Sequence, residues 1–158
     1  MRWSLIIVLL SIGPALAQAQ SHTGTDLSGI WKLNRAQSRI KGSRGLENML
    51  ITRSGQSIQM RYTPAGSTQT YIVDGKEHLG RVFPSGSGRV NAYTTAVWRG
   101  STLVIGIRTH LEDPDKRDTK QPDLRGTSRW SLSANHRLLA QINDIPGVPE
   151  EIMVYDKQ

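Results

Sequence analysis

Ser57 to Gly75 reads "SIQMRYTPAGSTQTYIVDG", two short runs each closed by a turn signal. In Ser57–Tyr62 the side chains of Ile58, Met60 and Tyr62 fall on one side of an extended chain, and Gln59 and Arg61 on the other. Successive side chains of a strand point to opposite faces, so this period of two marks a strand with one buried face. Pro64-Ala65-Gly66 closes the run with a residue of fixed φ and one without a Cβ, which is turn chemistry. Thr68–Val73 follows, rich in β-branched and aromatic residues, and Asp74-Gly75 is a strong hairpin signal.

The same grammar runs outward in both directions. Towards the N-terminus stand Leu46–Arg53, closed by Ser54-Gly55, and Gly29–Leu33. Towards the C-terminus come Glu77–Phe83, the loop Pro84–Gly88, and Val90–Trp98 with a turn at Arg99-Gly100-Ser101. Thr102–Thr109 puts Leu103, Ile105 and Ile107 on one face. His110–Leu124, charged and containing two prolines, is the longest expected loop. Thr127–Leu132, Arg137–Asn143 and Glu150–Asp156 complete the series. An apolar period of 3.6 never persists, and only Arg35–Gly42 has the makings of a short helix. The expectation is nine or ten short strands in one all-β domain. Tight connections make sequential strands antiparallel neighbours. A meander this long removes its edges by closing, so the expected fold is an antiparallel up-and-down β-barrel of about 8–10 strands. A two-sheet sandwich is the competing architecture.

The first residues have another character. Arg2, the apolar run from Trp3 to Ile12, Pro14, and the overlapping sites Ala15-Leu16-Ala17 and Ala17-Gln18-Ala19 follow the order of an export signal. The run is shorter than the roughly 20 residues of a membrane span. Residues 1–19 are therefore read as a signal peptide cut after Ala17 or Ala19, 20–26 as a disordered polar tail, and 27–158 as the barrel domain. There is no cysteine, hence no disulfide and no lipid attached at a cysteine. With no Asn-x-Ser/Thr site either, this favours a bacterial exported protein, periplasmic or extracellular.

The formal charge is +7, from 20 basic and 13 acidic side chains. A nucleic-acid or anionic-polymer partner would call for a basic block or helix. Here the arginines are strewn one or two per strand, which reads as solvated surface and no nucleic-acid partner.

"SGIWKLNRAQS" (Ser28 to Ser38) carries a resemblance. "GIWKL" resembles the "GTWKL" that opens fatty-acid-binding proteins, and "VYDK" (Val154 to Lys157) resembles the "VYEK" that closes them. The opening is similar to the "sGtWkLnpakS" of exported lipocalin-like (calycin-type) proteins of bacteria. These also share a "DGKEH" hairpin, Asp74 to His78 here, and a Trp-x-Gly-x-x-Leu-x-Ile strand pair, here Trp98, Gly100, Leu103 and Ile105. The resemblance implies a barrel with Trp31 as the plug of its closed end, Gly29 letting strands approach, and a late arginine, Arg129 or Arg137, against the Trp31 ring. A small barrel needs such bulky filling at its base. The fatty-acid-gripping Arg-x-Tyr of the last strand is absent, since Met153 stands two residues before Tyr155.

No chemistry-bearing constellation stands out. There is no Gly-x-Ser-x-Gly elbow, and the four histidines (His22, His78, His110 and His136) lie far apart. "PSGSGR" precedes a strand and lacks the Gly-Lys-Ser/Thr of a phosphate loop. Tyr71, Tyr93, Trp98 and Trp130 lie on strands that a barrel could turn inward to line a pocket, and Arg108, alternating away from Leu103, Ile105 and Ile107, could anchor an anion if its side faces a cavity, the favoured alternative being a surface arginine. The expectation is a non-catalytic exported protein that binds a small apolar or amphipathic molecule, with no metal and no cofactor. A filled barrel serving as an envelope interaction module is the alternative, and a barrel enzyme a more distant one.

Overall fold

In the computed structural model, residues 24–40, 47–86, 88–112, 123–143 and 149–158 are described. Residues 1–19, read above as an export signal, and residues 20–23 of the expected polar tail lie outside the described residues, as does most of the charged segment after His110. The chain forms strands β1 (Gly29–Leu33), β2 (Asn48–Ser54), β3 (Ser57–Thr63), β4 (Thr68–Ile72), β5 (Glu77–Ser85), β6 (Gly88–Arg99), β7 (Thr102–Glu112), β8 (Leu124–Leu132), β9 (Leu138–Asn143) and β10 (Glu151–Lys157). They make one antiparallel sheet in the order β4-β3-β2-β1-β10-β9-β8-β7-β6-β5. The first strand pairs with the last, Trp31 opposite Lys157 and Leu33 opposite Tyr155, which curls the meander into a nearly closed up-and-down barrel. Only β4 and β5 lack a ladder between them. The all-β barrel expected from the strand grammar is the observed fold, and it is compatible with the lipocalin-like architecture.

Register explains the core. Leu103, Ile105, Met60, Leu138, Ala140 and Tyr155 are each 0 % exposed, and all sit on the same side of the pleat. The inward set continues through Trp31, Met49, Ile51, Ile58, Tyr71, Ala96, Trp130 and Met153. Trp130 and Tyr155 stack with ring centroids 6.4 Å apart. Two of the three buried phenols turn to sulfur: the Tyr155 and Tyr62 hydroxyls reach the sulfurs of Met153 and Met60 at 3.5 and 3.6 Å. The barrel is thus filled with its own side chains through this level.

The base is sealed by the segment ahead of β1. Leu27 is buried, and its carbonyl accepts the Trp31 indole N–H at 3.0 Å. Gly24 lies against Trp98 so closely that a Cβ there would fall 2.1 Å from ring atoms. Arg53 lies over the other part of this arrangement, 5.9 Å from the Trp98 centroid, and donates to the Gly24 carbonyl at 3.0 Å. Gly29 adopts φ +144° beside Lys157, whose ammonium stands 5.5 Å over the Trp31 ring. That cation occupies the place expected for a late arginine. Arg137 instead bonds Asp156, and Arg129 lies 3.9 Å from Glu150. Of the stretch Arg35–Gly42 that could have made a short helix, residues 41–42 lie outside the described residues and residues 35–37 form a turn, after which Arg39 bridges back to Ile152.

Candidate functional site

Strand length sets the shape of the other end. β1 and β4 have 5 residues each, whereas β5 to β8 have 9, 12, 11 and 9. Half of the barrel therefore extends past the filled core. Alternation carries the inward face of Leu103 and Ile105 on to Ile107, Thr109 and Leu111. Register places Val90 beside Leu111, Phe83 beside Val90, Ala92 beside Thr109, and Leu124 on the far side of Thr109. The product is a mainly apolar stretch of inward face with, among the described residues, no opposite strand at its level. Phe83 and Leu124 are 43 % and 59 % exposed on it, while Val90 and Leu111 are half-buried. Arg81 is its cation, with the guanidinium 5.9 Å over the Phe83 ring and one N–H on the Thr68 carbonyl at 3.3 Å.

The residues singled out in the sequence divide between three places. Trp98 and Trp130 face inward at the packed half, where Leu103 lies between them in register. Tyr71 also faces inward, buried on β4 with its hydroxyl on Gln69. Tyr93 and Arg108 are cross-strand partners on the outer face. The Arg108 guanidinium stacks 4.3 Å over the Tyr93 ring, donates to both Glu77 oxygens at 2.8 and 2.6 Å, and reaches Asp123 at 3.1 Å. His110 takes the other Asp123 oxygen at 2.9 Å. Two carboxylates thus already engage this guanidinium on the outside of the barrel. A depression of about 260 Å³ beside it is floored by Gly106 and edged by Thr95, Thr127 and Arg125. The wall residues Phe83, Val90, Leu111 and Leu124 carried no signal of their own in the sequence, because three of them lie in or beside stretches that read as loops.

These ion pairs set a pH dependence. Hydrogen bonds from Arg108 hold the Glu77 carboxyl below its ordinary range, and those from His110 and then Arg108 do the same for Asp123. A folded-state pKa below the unfolded one gives stability that is present above the unfolded value and lost as pH falls through the folded one. Burial has the opposite effect on the Tyr62 phenol, which it pushes up, so the unfolded chain ionises first and stability falls as pH rises above 10. The denaturant midpoint is therefore expected to hold level between these limbs and to decline below about pH 4.5. Arg108→Met should make the acid limb shallower, with Asp26, Asp74 and Glu112 still contributing to it, and Tyr62→Phe should do the same for the alkaline limb, which burial of Tyr155 shares.

Catalytic arrangements are sparse. His78 Nε2 stands 3.0 Å from both Asp74 oxygens, but among the described residues no hydroxyl bonds to that ring. No three His, Asp or Glu side chains among the described residues converge to hold a metal ion. No helix among them is long and apolar enough to cross a membrane. No protein-family model matches the chain, and no curated protein does.

Proposed function

We infer that this is a non-catalytic binding protein of the exported bacterial lipocalin-like kind, acting in the periplasm or outside the cell, and that it holds a small apolar or amphipathic molecule against the wall of the open half-barrel. One observation carries the reading: the inward apolar face of β5 to β8 continues beyond the level at which the core is filled. Concave, mostly apolar surfaces with a few polar anchors are what small ligands occupy. Arg81 supplies such an anchor, beside the chain's single phenylalanine. The signal-like residues 1–19 support export.

The test is titration with an environment-sensitive apolar dye. Saturable enhancement is expected for the wild type, with roughly tenfold weaker binding for Leu111→Lys, which sets a charge on the wall. No enhancement, or equal enhancement by both, would defeat the reading. A second reading is favoured by the packing of the core, where Met60, Leu103 and Ile105 are fully buried: a filled barrel acting as an envelope interaction module. An inert dye result would assign the protein to it.

A further inference from the structure

Strands β4 and β5 follow one another in the chain yet form no ladder. Their connecting turn is tied elsewhere: the Gly75 N–H bonds the Ala96 carbonyl of β6, and the Val73 N–H bonds the Gln56 carbonyl in the β2–β3 turn. Further along, Arg81 bridges the interval through its side chain to the Thr68 carbonyl. Paired strands stand about 4.8 Å apart, but here an arginine side chain lies between two backbones. Two unpaired strand edges thus converge at the turn, where β4 approaches both β5 and β6, and are bridged by the Arg81 side chain at the Thr68 end. Apolar side chains collect on their borders: of eight large exposed ones among the described residues, Ile72, Leu79, Val82 and Phe83 lie on these two strands, at 40, 57, 51 and 43 % exposure. Ile72, Leu79 and Val82 point outward by register, whereas Arg81 points inward.

We propose that this seam is a docking site for an extended peptide segment of a partner protein, entering as an eleventh strand with a carboxylate turned inward to Arg81. Backbone edges of this kind give affinity through main-chain hydrogen bonds, and flanking side chains give preference for alternating residues. Charge selects the acidic partner. Among the described residues every carboxylate has a partner, Glu77 of β5 being taken by Arg108, while Arg81 meets no carboxylate, its guanidinium lying on the Thr68 carbonyl and over the Phe83 ring. Charge and geometry also disfavour a second copy. Antiparallel β5–β5 pairing about a twofold axis would bring two Arg81 side chains into one short interface, beside a bulge between Leu79 and Arg81 and the donor-less Pro84. This surface shares Arg81 with the wall proposed above for small molecules and otherwise uses the outer face and the edges.

The probe is a capped synthetic peptide, Val-Thr-Val-Glu-Val-Thr-Val, with two controls: the same peptide N-methylated at alternate residues, and one with lysine for glutamate. Hydrogen exchange is followed residue by residue in the full exported protein. The peptide is expected to slow exchange in both Thr68–Ile72 and Leu79–Val82, the N-methylated control to slow neither, and the lysine peptide to bind roughly tenfold more weakly. Val82→Lys, on an exposed position that should not affect folding, should weaken the complex. Absence of protection at about 1 mM peptide, or protection of the β6–β7 wall without β4, overturns the proposal. Self-association that protects the same amides without peptide also overturns it, in favour of a second copy.

Discussion

Leu103→Lys is expected to yield no folded protein at room temperature, while Leu111→Lys, eight residues along the same strand and on the same face, folds almost normally. Leu103 is 0 % exposed between Trp98 and Trp130, so an ammonium there meets neither water nor a carboxylate. An uncompensated buried charge costs about 3–5 kcal/mol, and the misfit of a longer side chain adds to it. That approaches the whole stability of an ordinary domain, about 5–15 kcal/mol. Leu111 stands half-buried on the open wall, where a lysine can lift its ammonium into solvent, so the loss should stay near 1 kcal/mol. Urea midpoints of the two variants decide the matter. Similar losses at both positions would mean that the barrel is not filled at one level and open at the other.

Trp31→Ala is expected to lower stability by about 3–5 kcal/mol, the usual cost of removing a large buried aromatic side chain. The ring is 1 % exposed, takes part in the core cluster, and lies beneath the Lys157 ammonium. Its loss also strips the Leu27 carbonyl of its donor in a buried setting, so the segment that seals the base loses its tie. Trp31→Phe keeps most of the volume and not the N–H, and should recover more than half of the loss. Thermal unfolding of both variants measures this, and increased exchange at Leu27 and Ser28 should accompany it. A loss below 1 kcal/mol for the alanine would show that the base is not anchored through this residue.

Much of this fold was legible in the sequence because one side of each strand is buried. Ile58, Met60 and Tyr62 alternate with polar residues for a physical reason, and all three are buried in the barrel. The extensions of β5 to β8 were not legible for the converse reason. Pro84–Ser85, Gly88, His110–Glu112 and Leu124 belong to strands although they read as loop; Arg89, Arg125 and Gly126, which the strand pattern leaves unassigned, belong to strands too. They stand outside the core, so no burial imposes alternation on them. Their outer face is instead held by pairs such as Arg89–Glu112 and Arg108–Asp123, which join residues distant in the sequence. Pro84 fits because β5 is an edge and needs no donor on that side. The direction of Arg108 was legible as alternation from Ile107, but not its meaning: Glu77 and Asp123 come to it from two other elements. Arg81 was harder still, because the bulge at its N-terminal side shifts the parity of β5 and turns it inward.

Native mass spectrometry of the purified protein, with organic extraction of anything bound, tests the central claim most directly. The account predicts a stoichiometric small molecule of apolar or amphipathic character, lost in Leu111→Lys and retained in Arg108→Met. An empty wild type, inert towards apolar dyes as well, would contradict it and leave the barrel as a packed scaffold for protein partners.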